Sequence, residues 1–215
     1  GFTLAEVLVT LGIIGVVSAM TVPTLMQNYQ KQSYVTQLHK VYNEIQQAAV
    51  QYITDKNALN LREAGLNSQA SAEEFIKNYF KVIQTCSNKL TPCFADTYKS
   101  LNGGTPSGFN QHTAFVLASG AAVRAGYYYG SSYGSVINLM VDINGQKGPN
   151  VAGRDLFNIG LYPNGVMDDI KYGTVYSAPL TEDERESIYT SNCKSGTLAS
   201  GCFGKILNDN WQMNY

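Results

Sequence analysis

Charge is scarce in this chain, and one long segment has none. Lys, Arg, Asp and Glu make up 14% of the 215 residues, and the formal net charge is −1. Such a composition gives no case for direct nucleic-acid binding, which relies on clustered cations. The stretch from Val7 to Gln30 contains no formally charged residue at all. Exposure of this largely apolar segment to water is therefore unfavourable.

Signatures of catalysis are also scarce. The two histidines, His39 and His112, fall on a predicted helix and at a predicted strand start, and the chain has neither a phosphate-binding loop nor zinc-ligand spacing. Residues 130–134 read Gly-Ser-Ser-Tyr-Gly and match G-x-S-x-G. A nucleophile elbow needs a helix after it, however, whereas residues 135–143 have strand character. We therefore predict a protein that is not an enzyme.

The most informative segment that is present is an apolar run of membrane length. As a helix, Val7 to Met26 would rise about 1.5 Å per residue and cross a hydrocarbon core of roughly 30 Å. Glu6 stands at the start of this run. Because a charged side chain within a span costs on the order of 2.5–3.5 kcal/mol, Glu6 is expected to have a partner outside its own helix.

The first residues carry a family resemblance. Residues 1–6 read Gly-Phe-Thr-Leu-Ala-Glu, and the uncharged run after them contains Gly15 and Pro23. This pattern resembles the processing motif and N-terminal helix of type IV pilins and type II secretion pseudopilins. The resemblance implies that a prepilin peptidase cuts after Gly1, the last residue of a leader, and that the new amine of Phe2 is methylated.

The same resemblance implies two successive locations for the protein. The precursor would lie in the inner membrane, and a pilus assembly machinery would polymerise it into an extracellular helical filament of identical subunits. In that filament the amine of Phe2 would approach Glu6 of a neighbouring chain and neutralise it in a low-dielectric core. Between Gly15 and Pro23 the helix should bend or melt, since Pro removes a donor and Gly lowers helix propensity.

Other interpretations account for less of this segment. A secretory signal peptide has a basic region before a shorter apolar core, and an ordinary single-pass anchor leaves Glu6 unexplained. Within the pilin-like class, a pseudopilin that forms a periplasmic pseudopilus is the alternative to a surface pilus for motility or cell adhesion. From another class, a monomeric membrane-tethered binding domain would make Glu6 dispensable.

The helix should continue beyond the apolar run as an amphipathic helix. Apolar residues recur at spacings of three and four: Val35, Leu38, Val41, Tyr42, Ile45, Ala48, Ala49, Tyr52 and Ile53. We predict a helix that ends between Lys56 and Asn60. Residues 1–30 would form the membrane or filament-core half, and residues 31–215 the rest of the helix and a single head. A coiled-coil partner is the alternative cover for the apolar stripe.

The head is predicted to be α+β, with the C-terminal half of the long helix packed on an antiparallel sheet. We expect a helix over residues 71–82, capped by Ser71 with Glu74 in the capping box, and a loop over residues 86–108. After Gly173 the chain is polar, apart from a helical turn over residues 181–189. Short turns separate five strands of a meander, over residues 112–118, 121–129, 135–143, 155–162 and 166–172.

Tyrosine is abundant and partly clustered. Fifteen are present, and Tyr127, Tyr128, Tyr129 and Tyr133 lie close together. Three consecutive tyrosines in a strand cannot all face the same side. This suits a sheet covered by a neighbouring subunit, or an adhesive surface, although strand propensity explains most of the pattern.

The four cysteines form two close pairs in sequence. Cys86 and Cys93 enclose one short loop, and Cys193 and Cys202 enclose another, without zinc-knuckle spacing. We predict disulfides formed in an oxidising compartment, joined between nearest neighbours, although sequence alone allows three connectivities. The second loop resembles the C-terminal disulfide loop of pilins, which typically lies on the outer surface.

One loop offers two interpretations. Asp142, Asn144, Asn150 and Asp155 could supply oxygen ligands to calcium, in loose resemblance to the calcium loop of major pseudopilins. The spacing departs from an EF-hand, because the twelfth position is Gly153, and Lys147 and Arg154 dilute the negative charge. The other interpretation, which we favour, is an Asn-Gly turn with side-chain caps and no metal.

Overall fold

The first element is a single long helix. The computed structural model describes residues 1, 3–109, 111–130, 134–173 and 178–215. Helix α1 (Leu4–Asp55) is unbroken over 52 residues, and Lys56 is its C-cap. The helix is therefore not melted between Gly15 and Pro23 in this structure, while a bend there and melting in an assembled filament stay predictions. Pro23 removes only one backbone donor, and helical structure continues on both sides of it.

The apolar stripe on the second half of α1 is buried. Its buried residues are Val35, Leu38, Val41, Ile45, Ala48, Ala49 and Tyr52. Tyr42 and Ile53 are partly buried against the same hydrophobic cluster, which also contains sheet residues such as Phe115, Val123 and Leu139. The apolar stripe is thus covered by the chain's own head, so no coiled-coil partner is needed to bury it.

The sheet is an antiparallel meander in strand order β1 to β6. Its strands are β1 (Val82–Cys86), β2 (Ala114–Leu117), β3 (Ala122–Tyr127), β4 (Ile137–Asp142), β5 (Leu156–Leu161) and β6 (Met167–Asp168). The predicted α+β class and the meander are confirmed. The last predicted strand was too long, because β6 pairs with β5 over only two residues. Strand β1 was missed because most of its residues are exposed at the sheet edge and show no apolar alternation.

Both faces of the sheet are covered. Leu139 and Val141 on β4 face the cluster shared with α1, whereas Met140 belongs to a second cluster. That second cluster includes Phe94 and Tyr98 from the segment between β1 and β2. The segment predicted only as a loop therefore folds back as a layer, which is why β4 and β5 are buried along their whole length.

Short helices complete the head. Helix α2 (Gln69–Tyr79) is capped by Ser68, and Ser71 holds the third helical position of the capping box. The predicted cap at Ser71 was wrong because a second serine three residues earlier fits the box. Helix α3 (Glu182–Ile188) has Thr181 as its N-cap and leads into a π-helical turn (Tyr189–Lys194).

The last helix, α4 (Cys202–Asn208), was not predicted. Its N-cap is Gly201, which has a left-handed backbone with φ of 93° and no side chain to signal a helix start. The cap comes instead from Asp169, whose carboxylate accepts the N–H groups of Gly201 at 2.8 Å and Gly204 at 2.7 Å. A cap supplied from more than thirty residues away leaves no local pattern.

Two disulfides close the loops that the spacing predicts. Cys86 is joined to Cys93 with Cα atoms 6.1 Å apart, and Cys193 to Cys202 with Cα atoms 5.2 Å apart. Both bonds are buried. In the second loop Lys194, Ser195 and Thr197 are exposed, so part of that loop forms outer surface while its crosslink belongs to the core.

Candidate functional site

The N-terminal half of α1 is an uncovered apolar surface. Every described residue from Thr3 to Gln30 is exposed. Its most apolar 18-residue window has a mean hydropathy of 2.0, none of it is buried, and α1 is long and apolar enough to cross a membrane. A soluble monomer rarely exposes so large an apolar patch. This half of the helix is therefore suited by length and composition to a membrane.

Glu6 takes part in the N-terminal cap of this helix. Its carboxylate Oε2 accepts the backbone N–H and the hydroxyl of Thr3, both at 2.8 Å, while the Thr3 hydroxyl accepts the Glu6 N–H at 3.3 Å. This reciprocal arrangement is a capping box. No salt bridge involves Glu6 among the described residues. Its negative charge is thus oriented by Thr3 without being neutralised by it.

The other predicted assembly residues lie on the same open surface. Gly1 is exposed, and Phe2 lies outside the described residues. A Cβ atom added at Gly12 or Gly15 would meet nothing within 4 Å. Small residues let neighbouring helix backbones approach closely, so the glycines leave room for another helix that this chain does not fill.

The C-terminal segment fixes the helix to the head, a contact that sequence reasoning missed. The Trp211 ring packs edge-on against His39, with ring centroids 4.3 Å apart, and against Tyr42 at 5.1 Å. A groove of about 520 Å³ lies beside this contact, between Lys31 and Val35 on α1 and Met213 in the C-terminal segment. The apolar half therefore emerges from a rigidly packed junction. In the sequence, the single Trp near the end of the chain was the only indication of this contact.

The four residues of the calcium hypothesis lie around the end of β4 and the start of β5, where Asp142 pairs with Leu156. Asp142 accepts the Tyr98 hydroxyl at 2.5 Å and the Asn144 N–H at 3.1 Å. Asp155 accepts the N–H groups of Asn150 and Val151, both at 2.7 Å. Both carboxylates are 0% exposed. Their oxygens therefore serve as acceptors for protein donors in a closed turn.

Burial changes the acidity of this turn. It raises the pKa of Asp142 from 3.8 to about 7, although the hydrogen bond from Tyr98 acts in the opposite direction. Burial also raises the pKa of Asp155, against the hydrogen bonds from Val151 and Asn150. For Tyr98, burial and the neighbouring Asp142 raise the pKa above its usual 10, so its hydroxyl remains a proton donor. Within the described part of the chain, no cluster of three His, Cys, Asp or Glu side chains is arranged to hold a metal ion.

The Gly-Ser-Ser-Tyr-Gly match and the two histidines are the remaining candidates for catalytic residues. Residues 131–133 of the Gly-Ser-Ser-Tyr-Gly match lie outside the described residues, and so does Tyr133 of the tyrosine cluster. His112 packs edge-on against Tyr128, with ring centroids 6.1 Å apart. His39 lies against Trp211 on another element, so the two histidines have separate packing roles.

Comparison of the chain with protein-family models, curated proteins and solved structures finds no match.

Proposed function

We propose that this chain is the subunit of a type IV pilus-like extracellular filament, polymerised through its N-terminal apolar helix. The observation that carries the proposal is the exposed half of α1, which continues without a break into a helix packed on a folded head. An anchor alone would explain the exposure. The carboxylate of Glu6 at its start, without an ion-pair partner in the described chain, favours assembly.

The apolar half of α1 would have two successive environments, the membrane and the filament. In the membrane the apolar side chains contact lipid, and in the filament they would contact the same helices of neighbouring subunits. A charge transferred into either interior is costly unless it is paired. The amine of Phe2 from the next subunit would supply that pair, which makes cleavage after Gly1 by a prepilin peptidase a condition of assembly.

Substitutions at Glu6 test this pairing and separate it from helix capping. Gln can serve in the same capping box, so Glu6→Gln removes only the charge, whereas Glu6→Ala removes the charge and the cap. We expect both variants to insert in the membrane and both to lose most filament yield. Thr10→Ala, one turn later on the same exposed helix, is the matched control and should assemble normally. Filament yield is measured by electron microscopy and by sedimentation of sheared material.

The same set of variants distinguishes the alternatives. If Glu6 acts only as a cap, Glu6→Gln will assemble and Glu6→Ala will not. If the chain is a monomeric tethered domain, all three variants will behave like the parent, and no filament will contain the chain. A pseudopilin would assemble in the periplasm without surface filaments. Normal filament yield from Glu6→Gln is the result that excludes the pairing.

A further inference from the structure

A small pocket lies on the sheet face that turns away from α1. It has a volume of about 180 Å³, and Asn138 of β4 and Asn158 of β5 contribute to its lining. Both residues are more than nine-tenths buried, with 7% and 8% of their surface exposed. Buried amides in a protein are normally hydrogen-bonded, so their remaining donors and acceptors are informative.

The two amides are neighbours by strand register. Asn138 pairs with Gly160 on β5, two residues from Asn158, which makes the asparagines diagonal neighbours on one face of an antiparallel pair. Asn138 accepts the Ser135 hydroxyl through its side-chain oxygen. Its NH₂ group, and the whole amide of Asn158, make no hydrogen bond with the described residues. The NH₂ group of Asn138 and the amide of Asn158 can therefore form hydrogen bonds with a ligand.

Aromatic rings form the walls of the same pocket. They belong to Phe109, Tyr128 and Tyr172. Gly126 on β3 pairs with Asn138, and the Tyr128 ring fills the space above it, since a Cβ at Gly126 would lie 2.5 Å from that ring. The glycine therefore allows the ring to lie across the strand beside Asn138. Tyr172 is 48% exposed and stands where the pocket meets solvent.

The C-terminal disulfide loop completes the lining. Leu198 and Ser200 lie between Cys193 and Cys202. The Ser200 hydroxyl accepts a hydrogen bond from Asn192 at 3.1 Å, which leaves its own hydrogen to donate. Ser107 donates its backbone N–H to Thr197 at 3.0 Å, and this contact holds the segment that carries Phe109 against the loop.

The lining identifies the class of ligand. No charged side chain of the described residues lines the pocket, so a phosphate, carboxylate or ammonium group would find no counter-charge there. Amides and a hydroxyl both donate and accept hydrogen bonds, as sugar hydroxyls do, and aromatic faces suit the apolar face of a sugar ring. The volume is below the roughly 300–1,000 Å³ of pockets for drug-sized ligands, which limits the occupant to one ring.

We propose that this pocket binds one neutral sugar ring, such as a terminal hexose of a surface glycan. The site is built entirely within one head. Binding is thus independent of filament assembly, and it would give an assembled filament one adhesive site per subunit.

Saturation-transfer NMR on the full chain tests the proposal, with the protein in micelles of a detergent that has no sugar headgroup. The probes are the methyl glycosides of glucose, galactose, mannose and N-acetylglucosamine, each at about 10 mM, which fills a site of 1 mM Kd to about nine-tenths. Inorganic phosphate, followed by ³¹P line broadening, and adenosine are the comparison ligands. Asn158→Ala and Tyr172→Ala alter the pocket, while Asn88→Ala and Tyr29→Ala, at exposed residues elsewhere, are the matched controls.

We expect transfer to at least one glycoside, at least a tenfold loss of transfer in both pocket variants, and no loss in the two controls. Circular dichroism should show that Tyr172→Ala, at an exposed position, keeps the fold, so its result stands even if Asn158→Ala unfolds. Absence of transfer to all four glycosides, equal transfer in Tyr172→Ala, or tighter binding of phosphate or adenosine would overturn the proposal. Because Glu6→Gln keeps the head unchanged, it should bind the glycoside even if it fails to form filaments.

Discussion

Glu6 and Asp142 are carboxylates in opposite surroundings. Glu6 is exposed at the start of an apolar helix and is oriented by Thr3. Asp142 is fully buried and accepts the hydroxyl of Tyr98. The first is available to a neighbouring molecule. The second titrates inside the head, so it links stability to pH.

Asp142→Asn should change the pH dependence of stability. The pKa of Asp142 is about 7 in the folded chain, against its ordinary 3.8, so the folded state binds the proton more tightly than the unfolded state. Its stabilising contribution is complete below about pH 4 and is lost as the pH rises through 7. At 1.36 kcal/mol per pKa unit, this amounts to about 4 kcal/mol by pH 8.

Urea unfolding from pH 4 to pH 8 measures this effect. The Asn variant should lose much less stability over that range than the parent chain. Asp96→Asn, at an exposed carboxylate, is the control and should keep the parent's dependence. Equal slopes for the parent and Asp142→Asn would contradict the assigned burial and its effect on the pKa.

The sequence was enough to recognise Glu6 as a functional candidate, but it did not predict that Asp142 is buried. Glu6 is recognisable because it is the last charge before an uncharged run. Asp142 is buried by Tyr98, which lies 44 residues away along the chain. No local pattern records such a contact, and the calcium hypothesis arose because the oxygens were visible while their hydrogen-bond partners were not.

The C-terminal disulfide loop and the residues after it contact parts of the chain that are distant in sequence. Asp169 caps α4, and the Tyr215 hydroxyl donates to the Gly153 carbonyl at 2.8 Å. Gly153, with φ of 88°, lies so close to the disulfide that a Cβ there would be 2.6 Å from Cys202 Sγ. The crosslink therefore holds one wall of the proposed sugar pocket and supports the 142–155 turn.

Removal of this disulfide should weaken both the fold and the pocket. A closed loop of nine residues gives a chain-entropy stabilisation of about 2–3 kcal/mol. We expect the double variant Cys193→Ser, Cys202→Ser to lose about that amount in urea unfolding, and to bind glycoside more weakly under native conditions. The double variant Cys86→Ser, Cys93→Ser, with a similar loop length, should lose similar stability and retain glycoside binding. A loss of binding confined to this second variant would show that the wrong loop had been assigned to the pocket.

The 142–155 turn should be insensitive to calcium. Both carboxylates are occupied by protein donors, so a chelator should leave the melting temperature unchanged. Asp155→Ala should still destabilise the head by about 1–3 kcal/mol, because the partly buried N–H groups of Asn150 and Val151 lose their acceptor. A melting temperature that falls with chelator in the parent chain, and no longer responds in Asp142→Ala, would establish a metal site and refute the turn.

At this scale the sequence predicted elements with a local signal and missed those without one. The amphipathic stripe of α1, the central strands and the helical turn after Thr181 follow from spacing and side-chain chemistry. Helix α4 has a glycine cap, and β1 is an exposed edge strand. Both depend on partners distant in the sequence.

The whole molecule is organised along one helix that meets two environments. Its first half is apolar and uncovered, and its second half supplies a face of the head's core. Trp211 and the C-terminal segment brace the junction. On the proposed account, the helix carries the subunit from membrane to filament, while a pocket on the opposite face of the sheet binds a sugar.

This division of α1 was predictable because charge and hydrophobic periodicity change together near residue 31. The second layer over the sheet was not, since the segment between β1 and β2 has no apolar periodicity, and Phe94 and Tyr98 reach Met140 and Leu156 only through long-range packing. The sugar pocket belongs to that unpredicted layer. Its asparagines are unremarkable in sequence and become informative once strand register places them side by side.

Analysis of sheared cell-surface material from cells that produce this chain tests the central claim most directly. Electron microscopy should show filaments, and mass spectrometry of their subunit should give a chain that begins at Phe2 with one added methyl group on its amine. The processed amine is the group that the pairing with Glu6 requires. Absence of surface filaments, or filaments whose dominant subunit begins at unmodified Gly1, would contradict the account.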